Sequence, residues 1–172
     1  MKFIYHDGGR KEAGYKGTCG DCVARAIAIA TELPYIQVYK ALAEINVKSR
    51  CQGRDAFKVN WKAKLVSRPR TVRKGVFTRG AGFKRYMASL GWKWTPTMGI
   101  GTGCKVHLRE NELPSGRLIV KVSKHYCAVI DGVIYDNHDP QRLAVQCDDI
   151  DKEDVNGSRC VYGYWRKELA SK

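Results

Sequence analysis

The chain has 172 residues, a formal net charge of +14 and a mean hydropathy of −0.42. That length holds one ordinary domain with its own core and excludes two comfortable ones. No window approaches the roughly 18 apolar residues of a membrane span, and "MKFIYHDGGRKEAG" lacks the apolar run of a secretory leader.

The charge is concentrated in one place. Between Lys48 and Arg85 thirteen Lys and Arg face a single acid, Asp55, which gives +12 from 38 residues and leaves +2 for the rest. The basic stretch, at about 46–82, reads as an insertion in a single domain spanning 1–172. Such a stretch attracts polyanions, with Arg68, Arg70, Arg73, Lys74 and Arg79 as candidate contacts, or simply forms a solvated segment. The seven cysteines are odd in number and lack framework spacing, which suits a reducing cytoplasm.

In chain order, Met1 to Tyr5 reads as a short edge strand, and Gly8 to Gly20, with five glycines, as loop. A helix is expected from about Asp21 to Ala30, with Asp21 as N-cap and Val23, Ala26, Ile27 and Ala30 as its apolar stripe. Pro34 suits the first turn of a second helix carrying Ile36, Val38, Tyr39, Leu42 and Ile45. The basic stretch has mixed periodicity. A third helix is expected near Gly82 to Leu90, stopped by Gly91.

Strands follow: "WKWT", the β-branched "RLIVKV", then "HYCAVI" and "VIYDNH" about Asp131-Gly132, and last "RCVYGYWRK". Trp92, Trp94 and Trp165 read as core aromatics, with Trp61 exposed in the basic stretch. Helices first and strands afterwards make the fold class α+β, with N-terminal helices packed on a C-terminal antiparallel sheet.

A two-residue turn at Asp131-Gly132 fixes a register: Ile130 opposite Val133, Val129 opposite Ile134, Ala128 opposite Tyr135, Cys127 opposite Asp136 and His125 opposite His138. Alternation puts His125, Cys127, Val129, Ile134, Asp136 and His138 on one face. Asp136 is then the diagonal neighbour of His125, and a carboxylate so placed fixes a histidine's tautomer and raises its basicity. Asn137 points to the other face unless a bulge intervenes. His138 reads as a rim residue, and His6 and His107 as surface or packing residues without a visible partner.

"KGTCGDCVARAIAIA" places Cys19 and Cys22 where the glycine-rich loop enters the first helix. Three chemistries fit such a pair. Zinc needs a second close pair of ligands, which the sequence lacks, so neither metal nor cofactor is expected. A C-x-x-C redox couple needs an apolar strand just before the motif, and "GGRKEAGYKG" is no such strand. In the third, Cys22 alone is a nucleophile at a helix start, served by the strand histidine and its acid.

On these residues the chain resembles the papain-like cysteine peptidase superfamily. "KGTCGDCVARA" is similar to the family's Gln-Gly-x-Cys-Gly-Ser-Cys-Trp-Ala, and "KHYCAVIDGVIYDNHDP" to its His-strand-turn-strand-Asp/Asn element. The resemblance implies a papain-like core and a thiol hydrolase of peptidase, isopeptidase or amidase type. Its nucleophile would be Cys22, its base His125 and its orienting residue Asp136, with Asn137 as the alternative. The oxyanion hole would fall on Lys16 and Cys22. "GDCVARAIAIAT" is also similar to small proteins of tailed bacteriophages, which implies action in a host cytoplasm on a protein or peptide, a host protein among them. The rival readings are a catalytically degenerate papain-like binding protein whose basic stretch grips nucleic acid or a host partner, and the C-x-x-C oxidoreductase.

Overall fold

The computed structural model describes residues 1–17, 19–59, 71–141 and 158–167. Three helices lie with a six-stranded mixed sheet: α1 (Cys22–Thr31), α2 (Tyr35–Val59), α3 (Ala81–Ser89), β1 (Lys2–Tyr5), β2 (Trp92–Pro96), β3 (Arg117–Val122), β4 (His125–Ile130), β5 (Val133–Asp136) and β6 (Val161–Lys167). The strand order is β1-β5-β4-β3-β6-β2.

The α+β class holds, but the sheet differs from the expected C-terminal antiparallel one. β1 comes from the N-terminus and pairs parallel to β5, with Phe3 opposite Ile134 and Tyr5 opposite Asp136. The other pairings are antiparallel. A four-residue strand carries too little pattern to reveal its partner, and the exposed edge of β5 supplies it.

The hairpin forms in the expected register: Ala128 opposite Tyr135, Val129 opposite Ile134, Ile130 opposite Val133. Asp131 and Gly132 both have positive φ, 46° and 77°, as a tight hairpin turn requires. Gly163 in β6 has another reason to be glycine. A Cβ there would lie 2.3 Å from the Trp94 ring, which packs across the strand against Trp165. As expected, Trp92 and Trp165 are buried and Trp94 is partly so, while Trp61 lies outside the described residues.

Both sheet faces are buried. One meets the helices, where Val23, Ile27, Val38, Leu42, Phe83 and Met87 pack with Ile119, Ala128 and Trp165. On the other, Leu118, Val120, Val122, Cys127, Val129 and Ile134 pack with Leu108, Leu113 and Val161. Two buried faces explain why "RLIVKV" and "HYCAVI" read as nearly continuous apolar runs. β4 is central, and each face of so apolar a strand removes several large side chains from water, about 1.5–3 kcal/mol apiece.

α1 is covered on every side from Val23 to Ala30. Its alanines let the helix approach β4 closely, and it runs in the same direction as that strand. Arg117, opposite Ile130 at the far end of β4, donates hydrogen bonds to the carbonyls of Ile29 and Ala30 at the helix C-terminus, both at 2.8 Å. A cation there satisfies orphan carbonyls and opposes the helix dipole. α2 begins after Pro34, as expected, and continues to Val59 into the basic stretch, because Lys, Arg and Gln are good helix formers. Val38 and Leu42 face the core, whereas Ile36 stays exposed. α3 ends at Ser89, and Gly91 follows with φ 76°.

The cysteines hold a surprise. Cys104 and Cys160 form a disulfide across 56 residues, where unpaired thiols were expected, while Cys19, Cys22 and Cys127 are free. The bond joins the loop after β2 to the approach to β6, two segments that become neighbours only when the sheet closes. Among the described residues no helix is long and apolar enough to cross a membrane.

Candidate active site

The ends of three elements converge at one end of the sheet. Cys22 is the first residue of α1, His125 the first of β4 and Asp136 the last of β5. His125 Nε2 lies 2.5 Å from Asp136 Oδ2, both side chains being buried. The imidazole shares its cleft with the Cys22 thiol, near enough for the sulfur to act on its charge. With Nε2 committed to the carboxylate, Nδ1 is the nitrogen left for sulfur.

Burial alone pulls the His125 pKa down, but the hydrogen bonds and charges of Asp136 and Cys22 outweigh it and raise the pKa from 6.5 to about 9. The ring is therefore held as imidazolium at neutral pH. An imidazolium can give its proton to a leaving group. Cys127, on the same hairpin, behaves oppositely: full burial pushes its thiol well above the ordinary range, so it stays an inert core residue.

Asp136 Oδ1 accepts the Asn137 backbone N–H at 2.7 Å, which locks the carboxylate in place. Asn137 turns its own side chain to His138 at 3.1 Å, so it is not the residue that orients His125. His138 is exposed at the rim, its ring centroid 4.6 Å from that of His125. Its pKa is lowered, by burial first and then by the positive charges of His125, Arg25 and Arg159, against the opposing pull of Asp136. One ligand atom each from His125, Asp136 and His138 lie within 4.8 Å of one another, a compact donor set that the notion of a zinc pair at Cys19 and Cys22 did not include.

Asp21 does not cap α1. It occupies the N-cap position, but its fully buried carboxylate turns inward and makes no capping hydrogen bond. Arg10 Nε donates to Asp21 Oδ2 at 2.9 Å, Arg25 Nη2 lies 2.8 Å from Oδ1, and the Tyr35 hydroxyl donates to Oδ2. Burial and that hydrogen bond push the Tyr35 pKa far up, so the phenol remains a donor. Two arginines outcompete the helix N–H groups for one carboxylate because each offers a full charge.

The same Arg10 donates to the carbonyls of Tyr15, Lys16 and Gly17, at 3.1, 3.0 and 2.8 Å. It thereby gathers the glycine-rich loop against the start of α1. Lys16 itself is exposed and is not among the residues lining the cleft, so the structure engages its backbone and not the ammonium expected at an oxyanion.

A cleft of about 470 Å³ opens over Cys22 and His125, lined also by Cys19, Asn137 and His138. Its outer wall is the end of the basic stretch, residues 74–78. Asn46, buried on α2, holds that wall by donating to the Gly75 carbonyl at 3.0 Å and accepting the Phe77 N–H at 3.3 Å. Gly20 N–H donates to the Arg73 carbonyl at 2.8 Å, tying wall to motif. Arg159 donates to the Ser123 carbonyl at 2.8 Å and steadies the turn just before His125. Sequence reasoning missed Asn46 and Arg159, which act on backbone groups about thirty residues away, and Arg10, whose carbonyl partners sit in a loop without periodic pattern.

Of the residues expected to hold polyanions, Arg73, Lys74 and Arg79 are exposed, and Lys74 lines the cleft. Arg68 and Arg70 lie outside the described residues. His6 and His107 do have partners: His6 Nδ1 accepts the Gly8 N–H at 2.9 Å, and His107 Nδ1 lies 3.0 Å from Glu112 Oε2. Compared with family models, curated proteins and solved structures, the chain finds no match.

Proposed function

We propose that this protein is a papain-like thiol hydrolase acting through a Cys22-His125-Asp136 triad. The observation that carries the reading is the imidazole of His125, bonded to the buried carboxylate of Asp136 and lining one cleft with the Cys22 thiol. That sequence of groups is what nucleophilic acyl transfer needs: a sulfur, a base to move its proton and an acid to hold the base in one tautomer.

In the proposed reaction the Cys22 sulfur attacks the carbonyl carbon of an amide, and the carbonyl electrons move to oxygen. The N–H groups opening α1, which Asp21 leaves uncapped, are the donors assigned to that oxyanion. Collapse of the tetrahedral species breaks the C–N bond, and the leaving amine takes the proton from His125. Water, deprotonated by His125, then attacks the thioester and releases the acid and the Cys22 thiol. Asp136 keeps its charge throughout and stabilises the imidazolium.

The papain-like assignment rests on the order of parts, a helix-start cysteine followed by a strand-start histidine and an acid on the next strand. Action in a host cytoplasm on a host protein belongs to the same reading, through the likeness to tailed-phage proteins.

The test is alkylation by iodoacetamide with mass mapping. Cys22 should react faster than Cys19, and His125→Ala should slow Cys22 at neutral pH while leaving Cys19 unchanged. Equal rates at the two thiols, or indifference of Cys22 to His125, would remove the basis of the proposal. A C-x-x-C oxidoreductase would instead lose its activity in Cys19→Ser.

A further inference from the structure

The walls of the cleft carry charge of one sign. Lys74 stands on the outer wall, Lys121 at the end of β3 and Lys124 in the turn before His125, with Arg25 at the back. Among the described residues no aspartate or glutamate lines this cleft. Asp136, behind His125, is occupied by that ring and by the Asn137 N–H. Arg25 is engaged by Asp21, whereas among the described residues no carboxylate pairs with Lys74, Lys121 or Lys124.

Lys121 is only partly exposed, its ammonium 5.9 Å from the centroid of the Tyr126 ring, and burial together with nearby Arg79 lowers its pKa. A cation held short of full hydration and next to another cation gains more from an incoming anion than a freely solvated lysine does. Concave walls of one charge also concentrate the field in the cleft.

We propose that the cleft binds an acidic peptide segment, with carboxylate side chains flanking the carbonyl presented to Cys22, and that Lys74, Lys121 and Lys124 set this specificity. The reactive end of the inference rests on the hydrolase reading. A peptide is favoured over nucleic acid because the lysines surround a thiol and imidazole, groups suited to a carbonyl carbon and not to a phosphodiester.

The experiment uses the full chain carrying Cys22→Ala and three fluorescent peptides of equal length, rich in Asp and Glu, neutral, or rich in Lys. Anisotropy should show the acidic peptide bound at least about ten-fold more tightly than the neutral one, with the preference shrinking as salt rises. Adding Lys74→Glu and Lys121→Glu should erase most of it, with a thermal melt reporting that the variant folds. If the double reversal does not fold, Lys74→Ser and Lys121→Ser, each alone, should each lower the preference.

Equal binding of acidic and neutral peptides overturns the inference. So does a preference that survives loss of the cleft lysines, since attraction to the basic stretch then accounts for it. A single-stranded oligonucleotide that displaces the acidic peptide at lower concentration overturns it as well. Incubation with the unsubstituted chain separates the two readings. An acidic peptide that binds selectively but stays intact upholds the specificity and removes the hydrolase, while neutral peptides cut as fast as acidic ones do the reverse.

Discussion

Two buried carboxylates stand on either side of the Cys22 thiol, and the protein treats them differently. Asp21, next to it in sequence, is surrounded by Arg10, Arg25 and the Tyr35 hydroxyl. Asp136, next to it through His125, faces a single imidazole and one backbone N–H. Guanidinium groups remain charged at any pH a protein survives, so the arginines around Asp21 serve to fasten a loop to a helix. An imidazole can give up and regain a proton, which a guanidinium cannot, so the Asp136 pair is the one suited to proton transfer. One kind of partner builds the site, and the other is the one the proposed hydrolysis uses.

Breaking the working pair should give the largest effect. Asp136→Asn is expected to lower the hydrolytic rate by roughly 10⁴-fold, because an amide favours the wrong tautomer of His125. Circular dichroism should remain that of the folded chain, and a loss of less than about ten-fold would make Asp136 a bystander.

Breaking the fixed cluster should show in stability. Asp21→Ala leaves two buried arginines without their counter-charge and should cost roughly 3 to 5 kcal/mol in chemical denaturation. Its effect on rate should follow the fraction folded, in contrast to Asp136→Asn.

The comparison can be sharpened with pH. The folded His125 pKa is raised to about 9 from 6.5, so its contribution, on the order of 3 kcal/mol, is fully present below about pH 6.5 and lost as pH rises through about 9. Unfolding free energies measured between pH 6 and 10 should show that decline, and Asp136→Asn should flatten it. Asp21→Ala should leave the slope unchanged.

The smallest effect belongs to Tyr35→Phe. It removes one of three partners of Asp21 while both arginines remain, and should cost about 1 kcal/mol with little change in rate.

Local pattern carried much of this arrangement. The Asp131-Gly132 turn set the hairpin register from Ile130–Val133 to Ala128–Tyr135, and beyond it Asp136 bonds His125 while the His138 ring lies 4.6 Å from that ring. The helix stripe from Val23 to Ala30 and the stop at Gly91 were legible for the same reason, since a period of 3.6 and a positive φ leave their mark within a few residues. Asp21 shows where local rules fail. Its type and position predict an N-cap, yet Arg10 and Tyr35, brought in from opposite sides in sequence, bind it more strongly than the helix N–H groups can.

The sequence by itself determined the helices, the β4–β5 hairpin and the pairing of an acid with a histidine, because each depends on neighbours within about a dozen residues. Only the tertiary structure decided that Cys22 and His125 line one cleft, that β1 joins the sheet beside β5, that Cys104 bonds Cys160, and that a wall held by Asn46 brings Lys74 to that cleft. Those contacts join residues tens of positions apart. Their free energy comes from burial and charge pairing that exist only once the helices have closed on the sheet, and no stretch of sequence records it.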